Sequence, residues 1–261
     1  MSKLQQLLQQ IDDKKDQTNH KDLESFFSSQ KFYFAKCQFL SDSLAFSDLI
    51  VSPTQVDAIL KHSFQTNTSS FSSSCSSLKQ EILYAVTGYG KAFDFILSLI
   101  KEVPLEITED KIYKMHHLIF SDYECIPPDT YRTVDFQEPI FGYHSPAPDD
   151  LDHIMKHFAD QFRSSSTTLH PIELSALMGK RFLDMHPFLE GNHRIAFLLM
   201  NLILLYHGYP IISIPVSQKE TFLSALHIAR TSYDMDPLCI LIAHLVLDCY
   251  HSSSNESLKS Q

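Results

Sequence analysis

Nine consecutive residues, His186-Pro187-Phe188-Leu189-Glu190-Gly191-Asn192-His193-Arg194, hold most of the chemistry this chain can offer. His186 has the unperturbed pKa suited to taking a proton from a hydroxyl. Glu190 supplies hard oxygen ligands on a loop, where it could hold Mg²⁺ bridging phosphates. Pro187 and Gly191 end one helix near Met185 and open another near Asn192, and the new helix has no acid in its first turns. Backbone N–H groups at such a terminus face an anion, and Arg194 adds a planar, always-charged phosphate partner. Base, metal ligand, anion cradle and arginine together suggest nucleotidyl or phosphoryl transfer. Phe188 has no polar task and is expected to plug the core beneath the loop. The competing reading is a plain helix–loop–helix corner with a surface histidine.

The elements that must position these groups read as helical. Gly is only 6 and Pro 12 in 261 residues, and apolar residues recur at helical spacing. Leu4, Leu7, Leu8 and Ile11 place an amphipathic helix over residues 3–16. Further helices are predicted over 21–46, from the Ser52-Pro53 start to Leu60, and over 78–102, 109–120, 149–163, 171–185, 192–206, 217–230 and 237–250. Residues 64–77 are a serine-rich loop, and the tail SSSNESLKSQ is expected to fray. Cys125–Pro148 is rich in proline, with a short alternating piece at Thr133–Gln137, and predicts two short strands or a hairpin. The fold class is therefore all-α with one small β-hairpin, divided as a helical region 1–75, a core 76–250 and a disordered tail 251–261.

Composition excludes several classes. The formal charge of −10 and pI near 5.7 argue against a nucleic-acid binder. Five scattered cysteines without CxxC spacing argue against a disulfide framework and a zinc–cysteine site, and point to a reducing compartment. The start MSKLQQLLQQIDDKK lacks the apolar run of a secretory signal. Ile195–Gln218 carries no formal charge, but Asn201, Gly208, Pro210 and Pro215 interrupt it, so it reads as a core helix followed by a loop and not as a membrane span. The histidines lack HExxH spacing; His116 and His117 are assigned to packing, and His144 to a solvated loop.

The nine-residue string resembles the Fic family signature HPFx[D/E]GNGR at every specified position but one, within a resemblance spanning about Lys79–Leu247. Tyr131-Arg132 is similar to the family's G-x-Y-R step, with Pro128-Asp129 near the usual glycine, and Pro146-Ala147-Pro148 is similar to the proline pair closing its flap. His170-Pro171 with Ala176 resembles the start of another family helix. The resemblance implies a Fic-fold helical core with a hairpin flap, transferring AMP from ATP to a Tyr, Thr or Ser hydroxyl of a target protein. It implies His186 as general base, Glu190 as the Mg²⁺ ligand, and Gly191, Asn192, the backbone of His193 and Arg194 as the nucleotide cradle. Thr133, Val134, Asp135, Phe136 and Gln137 would lie in the flap and dock the target as an added strand. The expected partners are a nucleotide and a target protein, with no nucleic acid and no membrane. The expected place is the cytoplasm, or a host cell after export.

Three departures qualify the resemblance. His193 stands where the signature has glycine, and its side chain is expected to face solvent, with only its N–H in use. The other possibility is that it crowds or contacts a phosphate; the Doc branch, a kinase, carries lysine there. Phe197 replaces a second arginine that many members use near the γ-phosphate. Residues Ser43–Ser52 resemble the inhibitory TxxIEGNxxT helix, with Ser43 at its start and Ser47 at the glutamate position. Glutamate autoinhibition is therefore expected to be absent. A second match, Ser252–Glu256, is attributed to chance. The alternatives are another donor (a different NTP, a phosphocholine donor, or Doc-like phosphoryl transfer) and a catalytically silent binding protein.

Overall fold

The computed structural model describes residues 2–17, 26–65, 77–123, 130–136 and 143–257. Among these residues the chain is all-α. Its helices are α1 (Lys3–Gln17), α2 (Gln30–Ala45), α3 (Pro53–Gln65), α4 (Ser77–Leu99), α5 (Glu109–Phe120), α6 (Leu151–Ser165), α7 (Pro171–Met185), α8 (Asn192–Tyr206), α9 (Lys219–Thr231) and α10 (Asp236–Ser257).

Local chemistry sets the limits of the central helices. Thr108 caps α5 by accepting from the Lys111 N–H. His170 caps α7 through Nδ1, Glu173 reaches back to the His170 N–H, and Pro171 takes the first helical position. α8 is buried from Arg194 to Leu205, as an all-round apolar helix must be. Its polar exception, Asn201, donates to the carbonyls of Phe197 and Ile212 and accepts from the Ile212 N–H, so no buried amide group is wasted. The uncharged stretch thus ends as a core helix followed by a loop. No described helix is long and apolar enough to cross a membrane.

α7 and α8 form the central antiparallel pair, with α4 and α5 packed beside it. α1 lies on α10, and α2 packs on α3, α4 and α8. One contiguous apolar cluster runs from Leu4, Leu7 and Ile11 through Phe39, Phe93 and Phe188 to Leu226 and Val246. The segment expected as region 1–75 therefore shares its interior with the segment expected as the core.

Some boundaries differ from expectation. Of the helix expected over 21–46, residues 21–25 lie outside the described residues; Phe26 and Phe27 are helical, and a break at Ser28-Ser29 precedes α2, where the Ser29 hydroxyl accepts from the Phe32 N–H. The tail expected to fray from 251 continues as α10 to Ser257, carrying the Ser252–Glu256 match in its last turns. The expected hairpin is not seen among the described residues. Residues 130–136 are irregular and Tyr143 is an isolated bridge position, while 124–129 and 137–142, with Gln137, lie outside the described residues. Backbone carbonyls that a hairpin ladder could use here go to Arg132: its side chain takes those of Val134 and Pro146.

Candidate active site

The loop between α7 and α8 is built to hold a strained turn. His186 ends α7 in the left-handed region, with φ 45° and ψ 58°, and its N–H donates to the Phe182 carbonyl. Left-handed geometry in a non-glycine residue costs about 1–2 kcal/mol and persists only where surroundings fix it. Here Arg132 fixes it. Its Nε donates to the His186 carbonyl at 2.9 Å, and its backbone N–H donates to the Pro187 carbonyl at 2.9 Å. Phe188 is fully buried and stacks on the His116 ring at 4.0 Å, which makes it the core plug the sequence suggests and gives His116 its packing role.

Asn192 closes the loop from the other side. Its Oδ1 accepts from the Phe188 N–H at 2.9 Å and its Nδ2 donates to the Phe188 carbonyl at 2.7 Å. That side chain is spent on the loop, so any part Asn192 plays in an anion cradle falls to its backbone N–H. Asn192→Ala removes both bonds and leaves two buried peptide groups unsatisfied. The expected loss of stability is about 2–4 kcal/mol, read as a fall of several degrees in Tm by thermal unfolding.

Gly191, at φ 81°, begins α8, and a Cβ there would meet the Phe120 ring at 2.5 Å. The Ile195 N–H is the first to bond within the helix, to the Gly191 carbonyl. The N–H groups before it are the orphan donors of a helix start, with no acid in the first turn. Arg194 is buried beside them. Its Cζ lies 5.6 Å from the centre of the Phe120 ring, and its Nε and Nη1 are buried without a hydrogen-bond partner among the described residues. Burial pulls the guanidinium's pKa down, and the nearby Tyr123, Tyr89 and Glu190 oppose this. A buried cation with two idle donors at a helix N-terminus is suited to an anion.

His186 is half-buried, and its pKa is lowered to about 4, chiefly by desolvation and then by the charges of Arg132 and Arg230. It is therefore neutral near pH 7, the state a proton acceptor needs. Arg230 Nε donates to Asp184 Oδ1 at 2.7 Å, and Asp184 also takes the Lys180 ammonium. Phe136 stands edge-on to His186 at 5.0 Å, while Thr133, Val134 and Asp135 are exposed. Glu190 is exposed on the loop, so its carboxylate is open to a cation; no group of three or more ligating side chains exists among the described residues.

The solvent-facing expectation for His193 is overturned. Its ring stacks on Phe46 at 5.9 Å, contacts Phe197, and its Nε2 is hydrogen-bonded to the Ser47 hydroxyl. Phe46 stacks because it sits just past the C-terminus of α2, where residues 193 and 197 of α8 share one face. Burial, then Arg194, His186 and Lys219, lower the His193 pKa to about 3, so the ring is neutral near pH 7. Ser43, one turn earlier, hydrogen-bonds Tyr89 at 2.7 Å, and the Tyr89 hydroxyl donates to the Arg194 carbonyl at 3.1 Å. Ser47 thus meets α8 directly and Ser43 reaches it through Tyr89.

The site brings together His186, Gly191, Asn192, His193, Arg194, Phe136, Ser43 and Ser47. Sequence reasoning missed the reach of Arg132, which it noted only as a motif step. An arginine inside a proline-rich irregular segment was the available signal. It also missed Tyr89, for which the sequence holds no signal, because its partners lie 46 and 105 residues away.

Comparison with known proteins bears on this arrangement. Residues 106–204 match the model of the Fic/DOC family. The Protein adenylyltransferase Fic of Drosophila willistoni is 32% identical over 160 residues, 60% of this chain and 31% of that protein. The chain thus spans about a third of the length of that curated relative. Among solved structures, a fragment of Fic-1 from C. elegans superposes with a TM-score of 0.81 at 22% identity, covering 99% of this chain and 74% of the other. A Fic-domain signalling protein from Bacteroides thetaiotaomicron superposes with a TM-score of 0.76 at 19% identity, covering 94% of each chain.

Proposed function

We propose that this chain, a member of the Fic/DOC family through its residues 106–204, transfers AMP from ATP to a Tyr, Thr or Ser hydroxyl of a target protein. The observation that carries the reading is the buried, half-idle Arg194 guanidinium at the start of α8, beside a neutral His186. In this reading the N–H groups at Gly191–Arg194 and the Arg194 side chain hold the nucleotide's phosphates. His186 takes the proton of the target hydroxyl as its oxygen bonds to the α-phosphorus, and pyrophosphate leaves. Residues Thr133–Gln137 present the target chain, and Phe136 limits how far the His186 ring can turn. Glu190 is the residue that would hold Mg²⁺, which supplies charge neutralisation at the phosphates when bound. With one carboxylate available, the remaining ligands would be phosphate oxygens and water, the usual habit of this ion.

Glutamate autoinhibition is absent in this reading. Ser47 meets His193 where an inhibitory carboxylate would stand, and the neighbouring Asp48 has a side chain 94% exposed, turned toward Lys219 at 3.8 Å. Ser47→Glu is expected to put a competing anion at the cradle. The Kd for ATP should rise about tenfold, roughly 1.4 kcal/mol, measured by calorimetric titration. An unchanged Kd would mean that the residue 47 side chain does not reach the phosphates.

The deciding experiment incubates the protein with Mg²⁺ and ATP beside a His186→Ala control and reads adducts by mass spectrometry. An AMP adduct on a hydroxyl, absent from the control, supports the reading. A second reading keeps the fold and changes the donor, because Phe197 meets Phe46 and Phe222 where a further cation could have met a third phosphate. A phosphate-mass adduct supports Doc-like phosphoryl transfer. Activity only with CTP, GTP, UTP or CDP-choline supports an altered donor, and no adduct from any of them supports a silent binding protein.

A further inference from the structure

We propose that Arg132 is a positioning residue that fixes the base loop and the target-docking segment as one rigid unit. The proposal rests on the reading of His186 as base and of Thr133–Phe136 as part of the docking segment, and extends it to a residue that touches neither nucleotide nor target. Arg132 is 2% exposed, yet each nitrogen of its guanidinium donates to a carbonyl from a different part of the chain. Nε takes His186 at 2.9 Å, Nη1 takes Val134 at 3.0 Å and Nη2 takes Pro146 at 2.5 Å. The backbone N–H takes Pro187 at 2.9 Å.

These four bonds join Val134 and Pro146 to the two residues that begin the α7–α8 loop. The His186 carbonyl lies just past a helix end, where such groups lack intrahelical donors, so the guanidinium supplies the donor that position needs. Phe136 completes the arrangement: its ring centre is 5.2 Å from Arg132 Cζ and 5.0 Å from the His186 ring. A planar fork suits three diverging acceptors, whereas an ammonium is a single point. The nearby Asp135 carboxylate is 4.0 Å away and mostly exposed, so the carbonyls and not an ion pair account for the placement.

The same geometry sets a positive charge beside the imidazole. The other groups acting on His186 are Arg230 from α9, already paired with Asp184, and the Leu183 backbone, which favours the cation; His193 across the loop is itself neutral. Loss of the Arg132 charge therefore moves the titration of His186 upward.

The test compares Arg132→Gln and Arg132→Lys in the full chain. For each, the His186 imidazole is titrated by NMR, and kcat and KM for ATP are measured across pH. The glutamine variant is expected to lower kcat about tenfold or more with little change in KM, since it loosens the alignment of base and target. Its His186 midpoint should rise above about 4 and stay below 6.5, because burial, the larger cause of the lowering, remains. The lysine variant should keep the midpoint nearer the wild-type value and still lose kcat, because it retains the charge without the fork. Full recovery of kcat by lysine, or an unmoved His186 midpoint in the glutamine variant, overturns the proposal. If glutamine prevents folding, as a thermal melt would reveal, the kcat and titration of the lysine variant decide alone. The titration needs no turnover, so a chain inactive with ATP would refute the transfer reading, while the His186 midpoints would still support or overturn the role of Arg132.

Discussion

Replacing His186 with alanine is expected to slow adduct formation by about 10²–10⁴, the usual contribution of a positioned general base. The expectation rests on three features acting together. The imidazole is neutral near pH 7 because burial and two arginines disfavour its cation. Its backbone turn is held by Arg132, and its ring is braced by Phe136. A pH profile gives the same result independently. The active form is the neutral ring, so rate is lost as pH falls through about 4, not through the ordinary histidine value of 6.5. Initial rates between pH 4 and 8 check this, and an acid limb near 6.5 would refute the buried, charge-flanked setting. A His186→Ala rate equal to wild type would remove the residue from the mechanism.

Replacing Arg194 should produce two effects of opposite sign. Without a ligand, the guanidinium is a buried cation with two idle donors. Arg194→Met removes that charge and keeps much of the volume, so the ligand-free protein is expected to melt at the same temperature or higher. Nucleotide binding should weaken about 100-fold, since charge-assisted bonds to phosphate are worth about 1.5–3 kcal/mol each. In the wild type, ATP at 100 times its Kd should add about 2.7 kcal/mol of stability. Thermal unfolding with and without ATP reads both effects, and the variant should show almost no ATP-induced rise. A variant that melts lower without ATP and still responds to it would make Arg194 a structural residue.

The parts of the fold legible in the sequence are those with local causes. The predicted spans 109–120, 171–185 and 192–206 coincide with α5, α7 and α8. Each has a nearby start signal: Thr108, the His170-Pro171 pair, or Gly191. The helix start proposed as the cradle is legible for the same reason, since a glycine, a missing acid and an arginine lie within one turn. What escapes depends on distant partners. His193 reads as free because its cover, Phe46 and Ser47, lies about 146 residues earlier. Alternation at 133–137 suggests a hairpin, and nothing local signals that one guanidinium takes the carbonyls around it. The break before α2 is missed because Phe26 and Phe27 continue the apolar pattern across the capping residue Ser29.

Ser47 and His193 form one hydrogen-bonded unit written at two places in the chain. A change of residue 193 to the signature's glycine would strip Ser47 of its hydrogen-bond partner and Phe46 of its stacking ring. A change at residue 47 would leave the imidazole Nε2 without its hydrogen-bond partner. Exchanging the segment 76–250 alone between relatives would therefore separate halves of one lock. Chimaeras should retain function only when residues 46, 47, 193 and 197 travel together. Variation at position 193 among relatives should be accompanied by variation in the turn after α2, which the nine-residue signature does not include.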